Sequence, residues 1–342
     1  CNHDLITMDQ SMELAPTSSK VGRRIAVVDC GSNTFSMLIV DASEGQWEEQ
    51  FLMRHAVFLG QGGFKQAAIL PDRFAKGIDA LRIMSQATTN YSVDEVRVIA
   101  TSVLRDASNV EAFCTKAEEM TGWKIEVITG DEEAHWIHKG VSLTTERIHD
   151  RHVIMDIGGG SLEFIVAENK GTTGRSDVLW KMSFDAGVAR LDDFGKPADP
   201  MEQAGADRFQ PFLEYTLAPL KAALEKFQPV VLVGSSGSFD TFSDLVNGGA
   251  EPDHTAPDCS KQGHPHVQDI DRKKLDGLHD LLMSSDLKSR LLLPGMAPPR
   301  ARMLPLASLL IQQVLSWMPA NTTVMRSAYA LREGVLCEAT DL

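Results

Sequence analysis

The chain has 342 residues, more than one ordinary hydrophobic core holds, so its size favours two domains. Its 43% hydrophobic and 23% charged content is that of a globular protein, and a formal net charge of −14 argues against a chain that wraps long DNA, whose affinity comes from Lys and Arg on phosphates. A small polyanion stays open as a ligand, because screening acts over roughly 8 Å and a few local donors govern a cleft.

Residues 1–20 are polar and aperiodic and read as a disordered or added tail, with Met8 or Met12 as a candidate start. Five cysteines, Cys1, Cys30, Cys114, Cys259 and Cys337, show no regular spacing, and Cys30 sits within an apolar run as a small core residue. A reducing cytoplasm is the expected setting. No apolar run reaches the 18 or so residues of a membrane span, so no membrane partner is expected.

The first informative segment is RIAVVDCGSNTFSMLIVDA, Arg24 to Ala42, and HVIMDIGGGSLEFIVAE, His152 to Glu168, repeats its pattern. Each is a β-branched run ending in Asp, a turn of small residues, then a second apolar run, which reads as a β-hairpin. Asp29 matches Asp156, Gly31 matches Gly158 and Thr34 matches Ser161, with the same offset each time. After the first hairpin the spacing predicts a strand over 47–57, a helix with Phe74, Ile78, Leu81 and Met84 on one face, a strand over 96–100, a helix over 110–120, a strand over 125–128 and a helix from Asp131. After the second it predicts a strand over 178–182, one long helix over 201–227, a strand over 230–233, a helix, a polar insertion over 248–269, further helix around Met303–Leu315, a strand over 323–325 and a last helix.

Both halves therefore read β-β-β-α-β-α-β-α, a mixed α/β sheet built twice. That order resembles the actin, hexokinase and chaperone-ATPase superfamily, which implies duplicated ribonuclease H-like domains with phosphate bound in an interdomain cleft. The halves divide as 21–130 and 131–342, with the final helix able to pack back on the first domain.

The turns are Gly31-Ser32-Asn33-Thr34 and Gly158-Gly159-Gly160-Ser161. Small residues let backbone N–H groups approach an anion, and the hydroxyls add donors. An acid beside phosphate needs a cation between them; Asp156 and Glu163, with Asp29, would hold Mg²⁺ through oxygen or water. The plain structural alternative is two tight hairpins whose Asp satisfies its own backbone. Arg105 follows a buried strand, where α/β sheets place ligands, and either contacts phosphate or caps the helix beyond it. Asp131, Glu132 and Glu133 open a helix, whose dipole favours them, yet one of them could face the cleft and activate water.

DCGSNTF, TSVLRDASN, GDEEAHWIHKGV, IMDIGGGSLEF, GVARL (Gly187 to Leu191), VGSSGS and ALREGV occur in the order of the exopolyphosphatase and guanosine pentaphosphate phosphatase (Ppx/GppA) family, which the chain resembles from about Arg24 to Leu336. The resemblance implies release of terminal phosphate from inorganic polyphosphate or a guanosine pentaphosphate, with guanosine tetraphosphate a related ligand. It implies Glu133 as catalytic glutamate, Arg105 as phosphate-contacting arginine, Asp156 and Glu163 as acids near Mg²⁺ or Mn²⁺, and the two turns as phosphate sites. Long family forms carry further C-terminal helical domains; without them, short chains or a nucleotide are the expected substrates. A homodimer is compatible with all of this, and the sequence does not set the oligomeric state.

In Pro299-Arg300-Ala301-Arg302 the family usually has an acid where Arg302 stands. Gly234-Ser235-Ser236-Gly237 follows a strand as the adenosine-binding turn of related kinases does, and is either a nucleotide contact or a helix start. His254, Cys259, His264 and His266 lack the tight spacing of a zinc site. His135 and His138 are expected on a partly exposed helix face. An ATP-dependent kinase and a non-catalytic sensor of the same anions remain rival functions.

Overall fold

The computed structural model describes residues 22–43, 45–145, 148, 150–169, 176–247 and 266–340. The tail and nearly all of the insertion, with His254, Cys259 and His264, lie outside the described residues.

In chain order the first half runs β1 (Arg23–Cys30), β2 (Thr34–Ser43), β3 (Gln46–Ala56), α1 (Pro71–Asn90), β4 (Glu95–Ala100), α2 (Ser102–Asp106), α3 (Val110–Thr121), β5 (Ile125–Val127) and α4 (Gly130–Ser142). The second runs β6 (His152–Ile157), β7 (Leu162–Asn169), β8 (Ser176–Phe184), α5 (Val188–Gly195), α6 (Glu202–Asp207), α7 (Gln210–Thr216), α8 (Ala218–Phe227), β9 (Val231–Ser235), α9 (Ser236–Val246), β10 (Val267–Ile270), α10 (Arg272–Ser284), α11 (Leu287–Arg290), α12 (Leu304–Ser316), β11 (Thr323–Ser327) and α13 (Leu331–Ala339).

The sheets have orders β3-β2-β1-β4-β5 and β8-β7-β6-β9-β11, the second extended by β10 at its edge. In each, a hairpin pairs antiparallel and the next strands add parallel. The repeat extends to irregularities: register shifts fall between Ile39 and Val40 in one sheet and between Val166 and Ala167 in the other, at equivalent places in the two copies. The two mixed α/β sheets form two domains, each with the strand arrangement that the repeated order of elements predicts.

Alternation along the strands divides their side chains between two cores. Ala26, Val28 and Met37 join a core with Leu81, Met84 and Phe113 of α1 and α3. Ile25, Val27 and Leu38 join another that contains Ile137 and Val141 of α4, Val335 of α13, and Ile154, Ile165 and Val233 of the second sheet. Thus α4 and α13 form a layer between the sheets, and strands buried on both faces read as continuous apolar runs. These two helices cross closely because a Cβ at Gly334 would stand 2.6 Å from the carbonyl carbon of Trp136. The last helix also reaches the first domain, where Arg23 Nη2 donates to Ala339 O at 2.9 Å.

The single helix expected over 201–227 is three, α6, α7 and α8. Pro211 and Pro219 lie at the starts of α7 and α8, where a missing N–H costs nothing, whereas in a continuous helix each would clash with the preceding turn. Strand β10 and helix α5 were not expected. Cys30, Cys114 and Cys337 are free thiols, and among the described residues no helix is long and apolar enough to cross a membrane.

Candidate active site

Both turns close alike: Gly31 N–H donates to Thr34 O at 3.2 Å and Gly158 N–H to Ser161 O at 3.1 Å. They line one cavity of about 160 Å³, together with Asp29, Glu133 and Asp156. The turns approach closely. A Cβ at Gly159 would lie 2.8 Å from Asn33 Cγ, and one at Gly160 would lie 2.7 Å from Ser32 Oγ, so glycine is required where the first turn meets the second.

Helix α5, which carries the GVARL motif, orients the second turn. Gly187, Val188 and Ala189 N–H donate to the carbonyls of Gly160, Gly158 and Gly159 at 3.2, 3.1 and 2.8 Å. A trans peptide points C=O and N–H in opposite directions, so the N–H groups of Gly159, Gly160 and Ser161 face away from α5, on the cavity side. Arg190 fastens the same turn to the first domain: its Nε donates to Gly160 O at 2.8 Å and its Nη2 pairs with Asp106.

The three acids opening α4 have separate tasks. Glu132 completes a capping box, its Oε2 accepting from Thr129 N–H at 2.8 Å while Glu132 N–H donates to Thr129 Oγ1 at 3.2 Å. Asp131 pairs with Lys181 at 2.9 Å. Glu133 alone turns inward, 7% exposed, on the cavity wall. Burial pushes its carboxyl well above the usual glutamate range, Glu163 adds to the rise, and Arg105 opposes it. Arg105 Nη1 donates to Glu133 Oε2 at 3.2 Å and to Ile128 O at 2.9 Å; it holds Glu133 and is not itself on the cavity wall.

Asp156 faces the cavity with both carboxylate oxygens receiving hydroxyls, Ser235 Oγ at 2.7 Å on Oδ2 and Ser236 Oγ at 2.7 Å on Oδ1. Burial raises its pKa and these hydroxyls oppose the rise. Asp29 is pushed up to about 7, first by burial, with Asp156 adding to the rise and Arg332 working against it. Glu163 is pushed up to about 8 by burial and then by Asp156. It lies in register with Asp156 but off the cavity wall, its Oε1 accepting from Ser183 Oγ at 2.7 Å. Among the described residues no three His, Cys, Asp or Glu side chains stand close enough to hold a metal by themselves. Of the three acids expected near a metal, Asp29 and Asp156 line the cavity and Glu163 does not.

The expected turn Gly234–Gly237 is divided between the end of β9 and the start of α9; Ser236 and Gly237 line the cavity, while Gly234 and Ser235 do not. Arg300 lies against Gly237, and burial lowers its pKa to about 10. Arg302 instead makes two 3.1 Å hydrogen bonds to Asp192 on α5. His138 is buried rather than partly exposed: α4 packs against β8, its Nε2 lies 3.1 Å from Ser176 Oγ, and burial lowers its pKa to about 4. The wall also includes Arg54, Asp240, Arg300 and Arg332, which sequence reasoning did not single out as site residues. Arg300 lies in the Pro299–Arg302 segment and Arg332 in ALREGV, whereas Arg54 and Asp240 carry no local signal.

A family model described as the Ppx/GppA phosphatase family matches residues 38–341. Guanosine-5'-triphosphate,3'-diphosphate pyrophosphatases of Vibrio parahaemolyticus and Vibrio vulnificus are each 28% identical to this chain over 92% of its length. The chain spans only 59% and 58% of those curated relatives. An exopolyphosphatase from Cytophaga hutchinsonii superposes with a TM-score of 0.84 at 30% identity, covering 93% of this chain and 98% of that one. The Aquifex aeolicus Ppx/GppA family member superposes with a TM-score of 0.72 at 22% identity over 93% and 97%, a likeness of fold.

Proposed function

Because the chain belongs to the Ppx/GppA phosphatase family, we propose that it releases the terminal phosphate of a short inorganic polyphosphate or of a guanosine pentaphosphate by attack of water. The observation that carries this reading is that two phosphate-type turns, from two repeats, meet across one cavity that also exposes a single buried glutamate, Glu133. The names of the relatives, exopolyphosphatase and guanosine-5'-triphosphate,3'-diphosphate pyrophosphatase, support the two substrate classes.

In this reading the N–H groups and hydroxyls of the two turns hold the terminal phosphoryl group and stabilise charge as it transfers. Glu133, as carboxylate, orients the attacking water and takes its proton, while the anhydride bond breaks and the electron pair leaves with the bridging oxygen. Arg105 positions that carboxylate and favours its ionised form, opposing the burial that raises its pKa.

The donors present fit Mg²⁺ or Mn²⁺. Asp29 and Asp156 would offer hard oxygen ligands from the cavity wall, and Asp156 raises the proton affinity of Asp29, a repulsion that a cation would relieve. Mg²⁺ is ordinarily held by one or two carboxylates plus substrate phosphates, which suits a site with no three-acid cluster among the described residues. Such an ion supplies neutralisation of charge on the transferred phosphoryl group.

The test is phosphate release from tripolyphosphate, longer polyphosphates and guanosine pentaphosphate, side by side in Mg²⁺, with Glu133→Gln as the second arm. Release without any acceptor, lowered about 10²–10⁴-fold by Glu133→Gln, is the expected result. Transfer to an acceptor would identify a kinase, and tight binding without release a sensor.

A further inference from the structure

Resting on that reading of the cavity, we propose that Arg54 and Arg332 form a second anion subsite, which holds the phosphoryl group next to the one transferred.

Three neighbouring strands place Arg54. Asp29 of β1 lies opposite Ser36 of β2, and Ser36 lies opposite Arg54 of β3, so Arg54 stands in the same cross-strand row as the acid of the first turn, two strands away. Its anionic neighbours are Asp240, at 3.6 Å, and Glu333, and Asp240 is already bound at 2.7 Å by Arg326. One carboxylate thus serves two guanidinium groups, and Arg300 adds a third positive charge nearby. The Arg54 side chain keeps 36% of its surface accessible while lining the cavity, so its fork can meet a ligand.

Arg332 comes from a different element, the start of α13. It is 9% exposed; its Nη2 reaches Glu333 Oε1 only at 3.4 Å, and its Nη1 is buried with no hydrogen-bond partner. A buried N–H of a guanidinium is costly to leave unmade, and an oxygen entering from the cavity would satisfy it. Arg332 is close enough to oppose the charge of Arg54 and to favour that of Asp29. The charges near Glu133, by contrast, are Glu163, Arg105 and Asp156. Asp156 thus acts on both Glu133 and Asp29, whereas Arg332 acts on Asp29 and Arg54 and is not among the charges that act on Glu133. Two like-charged planar forks on the wall of one cavity, neither of them paired with Glu133, match the oxygens of a tetrahedral phosphoryl group, which each can bind with two N–H donors.

The subsite requires a ligand with at least one phosphoryl group beyond the terminal one, and orthophosphate alone does not span it. Calorimetric titration of the full chain carrying Glu133→Gln, in Mg²⁺, with tripolyphosphate and with orthophosphate reads this directly. Arg54→Gln in that background should weaken tripolyphosphate tenfold or more and leave orthophosphate within twofold. Arg332→Lys, which retains charge but loses the fork, should weaken tripolyphosphate in the same selective way at unchanged melting temperature. If both variants bind tripolyphosphate within twofold of the parent while the wild type still releases phosphate, the subsite is wrong and the phosphatase reading stands. If the wild type releases no phosphate yet the variants lose tripolyphosphate selectively, the subsite stands and hydrolysis falls. No tripolyphosphate binding by the parent overturns both.

Discussion

Gly160→Ala probes the meeting of the two turns most sharply. The added Cβ would lie 2.7 Å from Ser32 Oγ and 2.9 Å from Ser102 Cβ, and closer still to Ser102 Oγ. The hydroxyls can rotate away, but Ser102 Cβ cannot, and ordinary contact begins near 3.4 Å. The second turn must therefore retreat from the first domain by roughly 0.5–1 Å, a misplacement of the size that costs about 10–10² in rate when donors are aimed at a transferring group. Arg190, which fastens Gly160 to Asp106, resists that retreat and converts part of it into strain. Phosphate-release kinetics should show kcat/KM down by about 10–10²-fold. Gly160→Ala with Ser102→Gly should regain part of the loss, because the obstructing Cβ is gone. Wild-type kcat/KM and melting temperature in Gly160→Ala would show that the turns do not meet as described.

Gly334→Ala should destabilise by about 1–3 kcal/mol, because its Cβ meets the backbone of Trp136 where α13 crosses α4; chemical denaturation measures it. Gly277→Ala is the matched control: nothing lies within 4 Å of that Cβ on α10, so stability should rise by about 0.5–1 kcal/mol and activity should not change. Arg105→Gln should move the acid limb of the pH–rate profile to higher pH, since Arg105 opposes the burial that raises Glu133, and only the carboxylate accepts a proton. Asp29 is raised from 3.8 to about 7, so the folded protein holds a proton that the unfolded chain releases, and this group removes stability as pH climbs from about 4 through 7. Asp29→Asn should accordingly melt above wild type at pH 8 without divalent cations, the gap narrowing between pH 7 and pH 5. Adding Mg²⁺ should raise the melting temperature of the wild type more than that of the variant.

The hairpins and their acids are legible in the sequence because period-two alternation and small-residue turns are local signals, and their recurrence in the second half reaches even the register shifts at Ile39 and Val166. The acid cluster at α4 was legible only as a cluster: Thr129 and Lys181 select which carboxylates remain outside, and Lys181 comes from a distant strand. Arg54 and Asp240 gave no sign, since an isolated arginine on a strand becomes part of a site only when a helix of the other domain brings its counterion. The break of 201–227 into three helices was readable from Pro211 and Pro219, whose steric cost outweighs the apolar periodicity around them. Glu163 shows the limit of motif spacing. Its register with Asp156 is as the hairpin requires, yet it is off the cavity wall, its carboxylate held by Ser183 of β8 and by Ser161 of the second turn.

A crystal structure of the Glu133→Gln protein soaked with tripolyphosphate and Mg²⁺ bears most directly on whether one anion is shared by the two repeats. The terminal phosphorus should sit between Ser32–Asn33 and Gly159–Gly160, within hydrogen-bond reach of N–H groups from both and facing residue 133. A phosphate gripped by a single turn, with residue 133 turned away from it, would contradict the mechanism at its root.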